Sequence, residues 1–490
     1  MRTAGNNDAR MVKTGITGLD EILKGGLARG SIHLVEGRSG TGKTTLGLQF
    51  SLEGMQDAEK VLYFTLSETR QELERVARSH GWQIDGLHIL EVGSNKEQAS
   101  SMFHPSEVEL GQAIGRLQDE VAKVKPARVV LDSLSEFRIL GQNSIRYRRE
   151  LMNLKRFLGS QECTVLMLDI SSRDDEGARE LMDGVIDLEA SAPDYGTDRR
   201  RLRVLKMRGK SYVGGFHDFI IHTGGIQVFP RLIAAEHRQE HTVDILHSGL
   251  RGLDELLGGG IRTGSSTQLV GPAGTGKSSI AMLFAQSALS RGAAALYFTF
   301  EERPEQLLAR AKGLKIDLQT GLEKGLLLLQ QVDPAELSPG HFAQIIRQQV
   351  ESRETGVVVI DSLNGYMHSL RGASLTMQLH ELLTYLSQNG VSTFLVMGQT
   401  GMGLNWETPA DTSYLADAVL LFRFFEVKGE VRRALLVLKQ RSGTHEHTIR
   451  ELRLVPGGIT ISEPLRQFQG LIQGSPVSSG VSDRIDKGAQ

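Results

Sequence analysis

The feature that most limits how this chain can fold is that it is written twice. GRSGTGKT at residues 37–44 and GPAGTGKS at 271–278 share the pattern G-x-x-x-x-G-K-[ST], and each is the centre of a longer echo. TGITGLDEILKGGLARGSIHLVEG runs into the first loop and SGLRGLDELLGGGIRTGSSTQLVG into the second. Downstream, VLYFTLSETRQEL is answered by ALYFTFEERPEQL, ARVVLDSLSEF by GVVVIDSLNGY, VLKMRGKS by VLKQRSGT and TGGIQV by PGGITI, always in the same order. Self-similarity on this scale means two units, each closing its own core. The 490 residues are also long for a single core. We expect a flexible N-terminus over 1–13, a first domain over 14–232 and a linker over 233–243, inside the polar stretch PRLIAAEHRQEHTVD. A second domain follows over 244–470, then a Ser/Gly-rich tail over 471–490 expected to be disordered.

Within each half, short apolar runs alternate with helical patterns. SIHLVEG, KVLYFTL, LHILEV, ARVVLDS and TVLMLDI read as buried strands, and SEVELGQAIGRLQDEVAKV as an amphipathic helix. Apolar strands separated by helices imply a mostly parallel sheet covered on both faces. RRLRVLKMR and HDFIIHT lack helices between them and read as an added antiparallel edge. The fold class is α/β, in two tandem P-loop domains.

The glycine loops carry specific chemistry. Their backbone N–H groups curl around phosphate oxygens at the positive end of the following helix. The expected nucleotide-binding residues are Gly37, Ser39, Gly40, Thr41, Gly42, Lys43, Thr44 and Thr45 in the first loop. In the second they are Gly271, Ala273, Gly274, Thr275, Gly276, Lys277, Ser278 and Ser279. Lys43 and Lys277 would reach the β- and γ-phosphates, with Thr44 and Ser278 offering a hydroxyl to Mg²⁺. Asp132 and Asp361 close the apolar strands VVLDS and VVIDS, where an acidic residue supports Mg²⁺.

A third landmark separates the halves. FTFEERPEQ places Glu301 and Glu302 at a strand's carboxyl end, where α/β sheets bind ligands. FTLSETRQE puts Ser67 in place of Glu301 and matches Glu68 to Glu302. A carboxylate there can take a proton from an attacking oxygen, and a serine hydroxyl cannot. If Glu68 follows strand alternation it faces away from the site. On that reading the second domain carries most of the chemistry, and the first chiefly binds nucleotide.

Charge and composition exclude other classes. Lys+Arg number 56 and Asp+Glu 58, a formal net charge of −2, so no overall cationic field points to nucleic acid or to an anionic membrane. No apolar run is long enough to span a bilayer, and the N-terminus lacks a signal-peptide core, which leads us to expect a cytoplasmic protein. The lone Cys163 reads as a buried structural thiol. GTHEHT puts His445 and His447 on one face of a strand, a candidate metal pair with no third ligand in view.

GITGLDEIL, the paired P-loops, FEE followed by PEQL, KMRG and the closing GLIQGSP together resemble the KaiC family, double-domain ATPases of the RecA superfamily, from Thr14 to about Pro476. The resemblance implies two RecA-like domains, ATP and Mg²⁺ as ligands, ATP hydrolysis, and an ATP-dependent homohexameric ring with nucleotide at subunit interfaces. It implies Ser/Thr autokinase activity in the C-terminal domain, and Kai-type or other signalling proteins as partners. Lys206 and Arg208 match the cations that a neighbouring subunit presents to the first site, and Lys439 and Arg441 those for the second. The family's phosphoacceptor pair falls at ADTSYLAD: Ser413 is kept, Tyr414 replaces the adjacent Thr, and Thr408 lies upstream. The tail does not clearly match the one that recruits a clock partner. Two other readings share the fold: a RecA/RadA-like DNA-dependent ATPase, and a nucleotide-gated oligomeric scaffold.

Overall fold

The computed structural model describes residues 11–92, 110–141, 143–170, 176–193, 196–368, 374–399, 414–441, 443–466, 468–469 and 477–478. It divides into two compact units between Arg231 and Leu232. The first is built from β1 (Ile32–Gly37), α1 (Lys43–Gln56), β2 (Val61–Thr65), α2 (Arg70–Ser79), β3 (His88–Glu91), α3 (Leu110–Val124), β4 (Arg128–Asp132), α4 (Ser144–Ser160), β5 (Thr164–Ile170), α5 (Glu176–Leu181), β6 (Gly184–Ser191), β7 (Arg199–Met207), β8 (His217–His222) and β9 (Gly225–Phe229). Its 9-stranded sheet runs β9-β8-β7-β6-β1-β5-β4-β2-β3. Strands β1 to β6 are parallel. β7, β8 and β9 add the antiparallel edge.

The second unit repeats the plan with β10 (Ser266–Gly271), α6 (Lys277–Ser290), β11 (Ala294–Thr299), α7 (Pro304–Gly313), β12 (Leu327–Gln331), α8 (Pro339–Ser352), β13 (Thr355–Asp361), α9 (Ser374–Gln388), β14 (Ser392–Gly398), β15 (Ala418–Val427), β16 (Glu430–Gln440), β17 (Arg450–Val455) and β18 (Gly458–Pro464). The order β12-β11-β13-β14-β10-β15-β16-β17-β18 matches the first sheet strand for strand. The chain is thus two tandem α/β domains, each a mostly parallel sheet flanked by helices.

Period-two alternation with both faces covered explains the strand sequences. In β13, Val357 and Val359 join Tyr297 under α6, while Val358 and Ile360 join Leu296 and Phe298 under α8 and α9. LHILEV departs from the buried pattern: β3 is the sheet's outer strand and its residues are half-buried or exposed. The ends depart too. Met11 and Val12, inside the expected flexible N-terminus, pair with Ala28 and Leu27. In the tail, Val477 and Ser478 pair with Gln469 and Phe468. The segment expected as a linker opens with an anchor: Ala234, like Leu232 before it, is buried in the second unit's core, and His237 meets the Tyr385 ring edge-on.

One core position is not interchangeable between halves. Arg128, opening β4, is only 1% exposed. It donates to Glu59 Oε2 at 2.5 Å, to Asp57 Oδ2 at 3.1 Å and to the carbonyls of Lys13 and Phe50. In the second sheet Val357 takes the corresponding place beside β11. Asp57 is half exposed and Glu59 keeps Arg29, so removing Arg128 chiefly strands one Glu59 oxygen and the Lys13 carbonyl, at about 1–3 kcal/mol. Arg128→Val should therefore destabilise the first unit by about that much, read as a lower urea midpoint, and leave the second unit's transition in place.

Candidate functional site

Each P-loop leaves the carboxyl end of its sheet's β1 or β10 and turns directly into α1 or α6. Gly42 and Gly276 make that turn in the left-handed region, at φ 97° and 101°. A Cβ at Gly42 would also come within 2.6 Å of the end of the Ile221 side chain, which adds to the preference for glycine set by the left-handed φ. The lysines that follow fold back over their own loops. Lys43 Nζ donates to the carbonyls of Gly37 at 2.8 Å and Arg38 at 2.9 Å, and Lys277 Nζ to those of Gly271 and Pro272, both at 2.7 Å. Thr41 and Thr275 brace the turn by donating to the Arg38 and Pro272 carbonyls, each at 2.8 Å. Burial pulls both lysines below their ordinary value, Lys277 to about 8.

The carboxylates converge on the helix starts. In the first unit the Thr44 hydroxyl is shared between Asp132 Oδ2 at 3.2 Å and Glu68 Oε1 at 3.3 Å, while Tyr63 OH donates to Asp132 Oδ2 at 2.8 Å. The alternation argument does not apply to Glu68, because β2 ends at Thr65. Glu68 lies in the turn beyond. Thr65 Oγ1 accepts from its N–H and donates to its carbonyl, both at 2.9 Å, and a Thr69/Glu72 capping box then starts α2. That turn, not the strand, aims Glu68 at Thr44.

The second unit uses the same parts differently. Tyr297 OH donates to Asp361 Oδ2 at 2.8 Å, and the Ser278 hydroxyl also bonds Asp361. Glu301 Oε1 accepts from Ser362 Oγ at 2.9 Å. Glu302, the counterpart of Glu68, instead faces Arg310, whose Nε and Nη2 stand 3.1 Å and 2.5 Å from its two oxygens. Arg310 Nη1 also donates to Ser279 Oγ at 3.2 Å. Arg310, Tyr63 and Tyr297 escaped the reading of motifs. The tyrosines had a signal, since LYFT is common to both halves. Arg310 had none beyond its mismatch with Val76 in the other copy.

The oxygens of the first site fit a divalent cation. Burial raises Asp132, and burial with the Asp132 charge raises Glu68. Glu68 Oε2 is itself buried and has no hydrogen-bond partner among the described residues. A cation answers both facts, because it neutralises adjacent carboxylates and satisfies the orphaned oxygen. Thr44, Asp132 and Glu68 would hold it there, and Ser278 and Asp361 in the second unit.

The remaining candidates sort themselves by place. Lys206 and Arg208 do point together, both donating to the Glu180 carbonyl, at 3.2 Å and 2.8 Å. Lys439 and Arg441 donate to the carbonyls of Ala416 and Tyr414, each at 2.8 Å. Ser413 and Thr408 lie outside the described residues, and Tyr414 is exposed. His445 and His447 precede β17 and are not on a strand; their rings stack edge-on 4.6 Å apart. No cluster of three His, Cys, Asp or Glu suited to a metal occurs among the described residues. Cys163 is buried in the core, with its thiol pushed up to about 11. No helix among the described residues is long and apolar enough to cross a membrane.

If Lys277 holds a nucleotide phosphate, binding there depends on pH. A bound triphosphate favours the charged ammonium and raises its value from about 8. Above that pH the bound form holds more protons than the free form, so binding takes up a proton and weakens as pH rises. Calorimetry of Lys43→Ala protein with ATP at about pH 8.5, in buffers of unlike ionisation heat, should show uptake approaching one proton. No uptake would contradict the assignment.

Comparison with known proteins identifies the family. A family model described as "ATPase: KaiC" matches residues 12–233 and again 246–466. The chain is 28% identical over 503 residues to the circadian clock oscillator protein KaiC of Picosynechococcus sp., covering 99% of this chain and 96% of that protein. It is 29% identical over 505 residues to the KaiC of Synechococcus elongatus, with the same coverage. To KaiC 1 of Synechocystis sp. it is 29% identical over 491 residues, covering 97% and 93%. Matched twice across its length, the chain belongs to the KaiC ATPase family.

Proposed function

We propose that this KaiC-family ATPase binds Mg·ATP in both halves, hydrolyses it in both, and assembles as a nucleotide-dependent ring, most simply a homohexamer. The observation that carries the reading is the duplicated constellation of P-loop lysine, helix-start hydroxyl and buried aspartate, each with a glutamate near the same strand end. Bound Mg²⁺ would supply charge neutralisation to the β- and γ-phosphates. The protein's own part is positioning. The P-loop amides and lysine hold the triphosphate, and a carboxylate takes the proton as a water oxygen attacks the γ-phosphorus and the bond to ADP breaks. In the second half that carboxylate is Glu301; in the first, Ser67 stands at that position, and Glu68, beside Thr44, would serve turnover by helping to hold the cation. Both halves are therefore assigned turnover, in place of a first half that only binds.

We further propose that the second domain transfers phosphate to its own Ser413 or Thr408, and that the phosphorylated form acts as a signal to protein partners. The relatives' description as clock oscillator proteins supports a regulatory role. Lys206 with Arg208, and Lys439 with Arg441, would reach a neighbour's γ-phosphate, which makes site completion and assembly one event.

Three measurements test this. Light scattering should show growth from a small species to a ring on adding Mg·ATP, and an unchanged monomer would contradict assembly. Glu68→Gln in a Lys277→Ala background, and Glu301→Gln in a Lys43→Ala background, should each cut turnover by on the order of 10²–10⁴ with ATP still bound. Retained turnover in either case removes that glutamate from its role. Mass spectrometry after incubation with Mg·ATP should find phosphate on Ser413 or Thr408, lost in Glu301→Gln; its absence contradicts the autokinase reading.

A further inference from the structure

The two sites are not copies where they hold their cation. In the first, Glu68 turns to the Thr44 hydroxyl at 3.3 Å and keeps a second oxygen buried and unpartnered. In the second, the corresponding Glu302 is taken up by Arg310 through both of its oxygens. Arg310 rises from α7, reaches Ser279 on the first turn of α6, and so occupies the wedge between the glutamate turn and the P-loop helix. In the first unit, among the described residues, no arginine bonds Glu68 or Thr45. Val76 stands at the matching position of α2, and the hydroxyl matching Ser279, on Thr45, lies 3.4 Å from His80 Nε2 instead.

We propose that Arg310 is a positioning residue that withdraws Glu302 from the second site's cation, so that the two sites of one chain bind divalent metal with unequal strength. The first site offers two carboxylates and a hydroxyl around one point. The second offers Asp361 and Ser278, with Glu302 neutralised in a bidentate ion pair. Arg–carboxylate forks of this kind fix geometry as well as charge. Fewer anionic ligands mean weaker binding of a hard cation. The second half carries a further glutamate, Glu301, which accepts from the Ser362 hydroxyl. With Glu302 engaged, the proton acceptor of the second site comes from the preceding position.

The inference rests on the ATPase reading of both sites, and the test separates the two. Full-length protein carrying Lys43→Ala, so that only the second site loads, is mixed with a non-hydrolysable ATP analogue. Mn²⁺ is then titrated, with free Mn²⁺ followed by electron paramagnetic resonance. Adding Arg310→Val should tighten Mn²⁺ by on the order of tenfold, as expected for gaining a ligand. Arg310→Lys, which keeps the charge, should stay near the parent. Arg310→Val with Glu302→Gln should lose the gain. In the Lys277→Ala background, Glu68→Gln should weaken the first site by a similar factor. No tightening in Arg310→Val, or tightening that survives Glu302→Gln, overturns the proposal. Arg310→Gln serves the same comparison if the valine variant does not fold. Analogue binding in the same samples reports separately on the ATPase reading: no bound analogue at either site counts against that reading, and not against Arg310.

Discussion

Each half is organised around a carboxylate that has been taken out of water. Asp132 and Asp361 end central strands, and both are raised by burial. Such a group is tolerable only if donors and cations are brought to it. A tyrosine hydroxyl two residues before the end of the neighbouring strand provides one donor, the helix-start hydroxyl a second, and the P-loop lysine an opposite charge. Those partners arrive together only if β2 pairs with β4 so that Thr65 stands opposite Asp132, and β11 with β13 so that Thr299 stands opposite Asp361. Sheet register is thus tied to the chemistry of the site.

The same demand explains why the glycine loop and the central strand behave as one part. The P-loop lysine is tethered to the carbonyl at the strand's end, and the loop's left-handed glycine starts the helix that buries against the sheet. Movement of the loop would therefore have to pass through the buried strand or through the helix packed on it. A pre-formed cradle of this kind binds phosphate with little reorganisation, which is where electrostatic catalysis gains most.

Around that shared frame the halves have diverged by single residues with local consequences. Val357 replaces a buried, fully engaged Arg128 at the start of the acidic strand. Arg310 replaces Val76 beside the glutamate turn, and with it the fate of the second glutamate changes. Neither change touches the sheet order, because both act at strand or helix ends where the backbone path is already set.

The duplication, the α/β class, the P-loops and the acidic strands were legible in the letters, because each rests on local rules: period-two burial, glycine at a left-handed turn, and a fixed spacing between glycine, lysine and hydroxyl. The half-exposed β3 was not, since a strand's sequence does not say whether it lies at the sheet's edge. The anchor formed by Leu232 and Ala234 was hidden inside a stretch that reads as polar. The direction of Glu68 was misread by alternation because the strand ends before it, and only the Thr65 turn decides where it points. Arg310 was invisible for the same reason: its partners, Glu302 and Ser279, lie on different elements, and only packing α7 against the start of α6 brings the three within hydrogen-bonding distance. The sequence determined which groups each half owns; the tertiary structure decided which of them meet, because that depends on where strands end and how helices cross them.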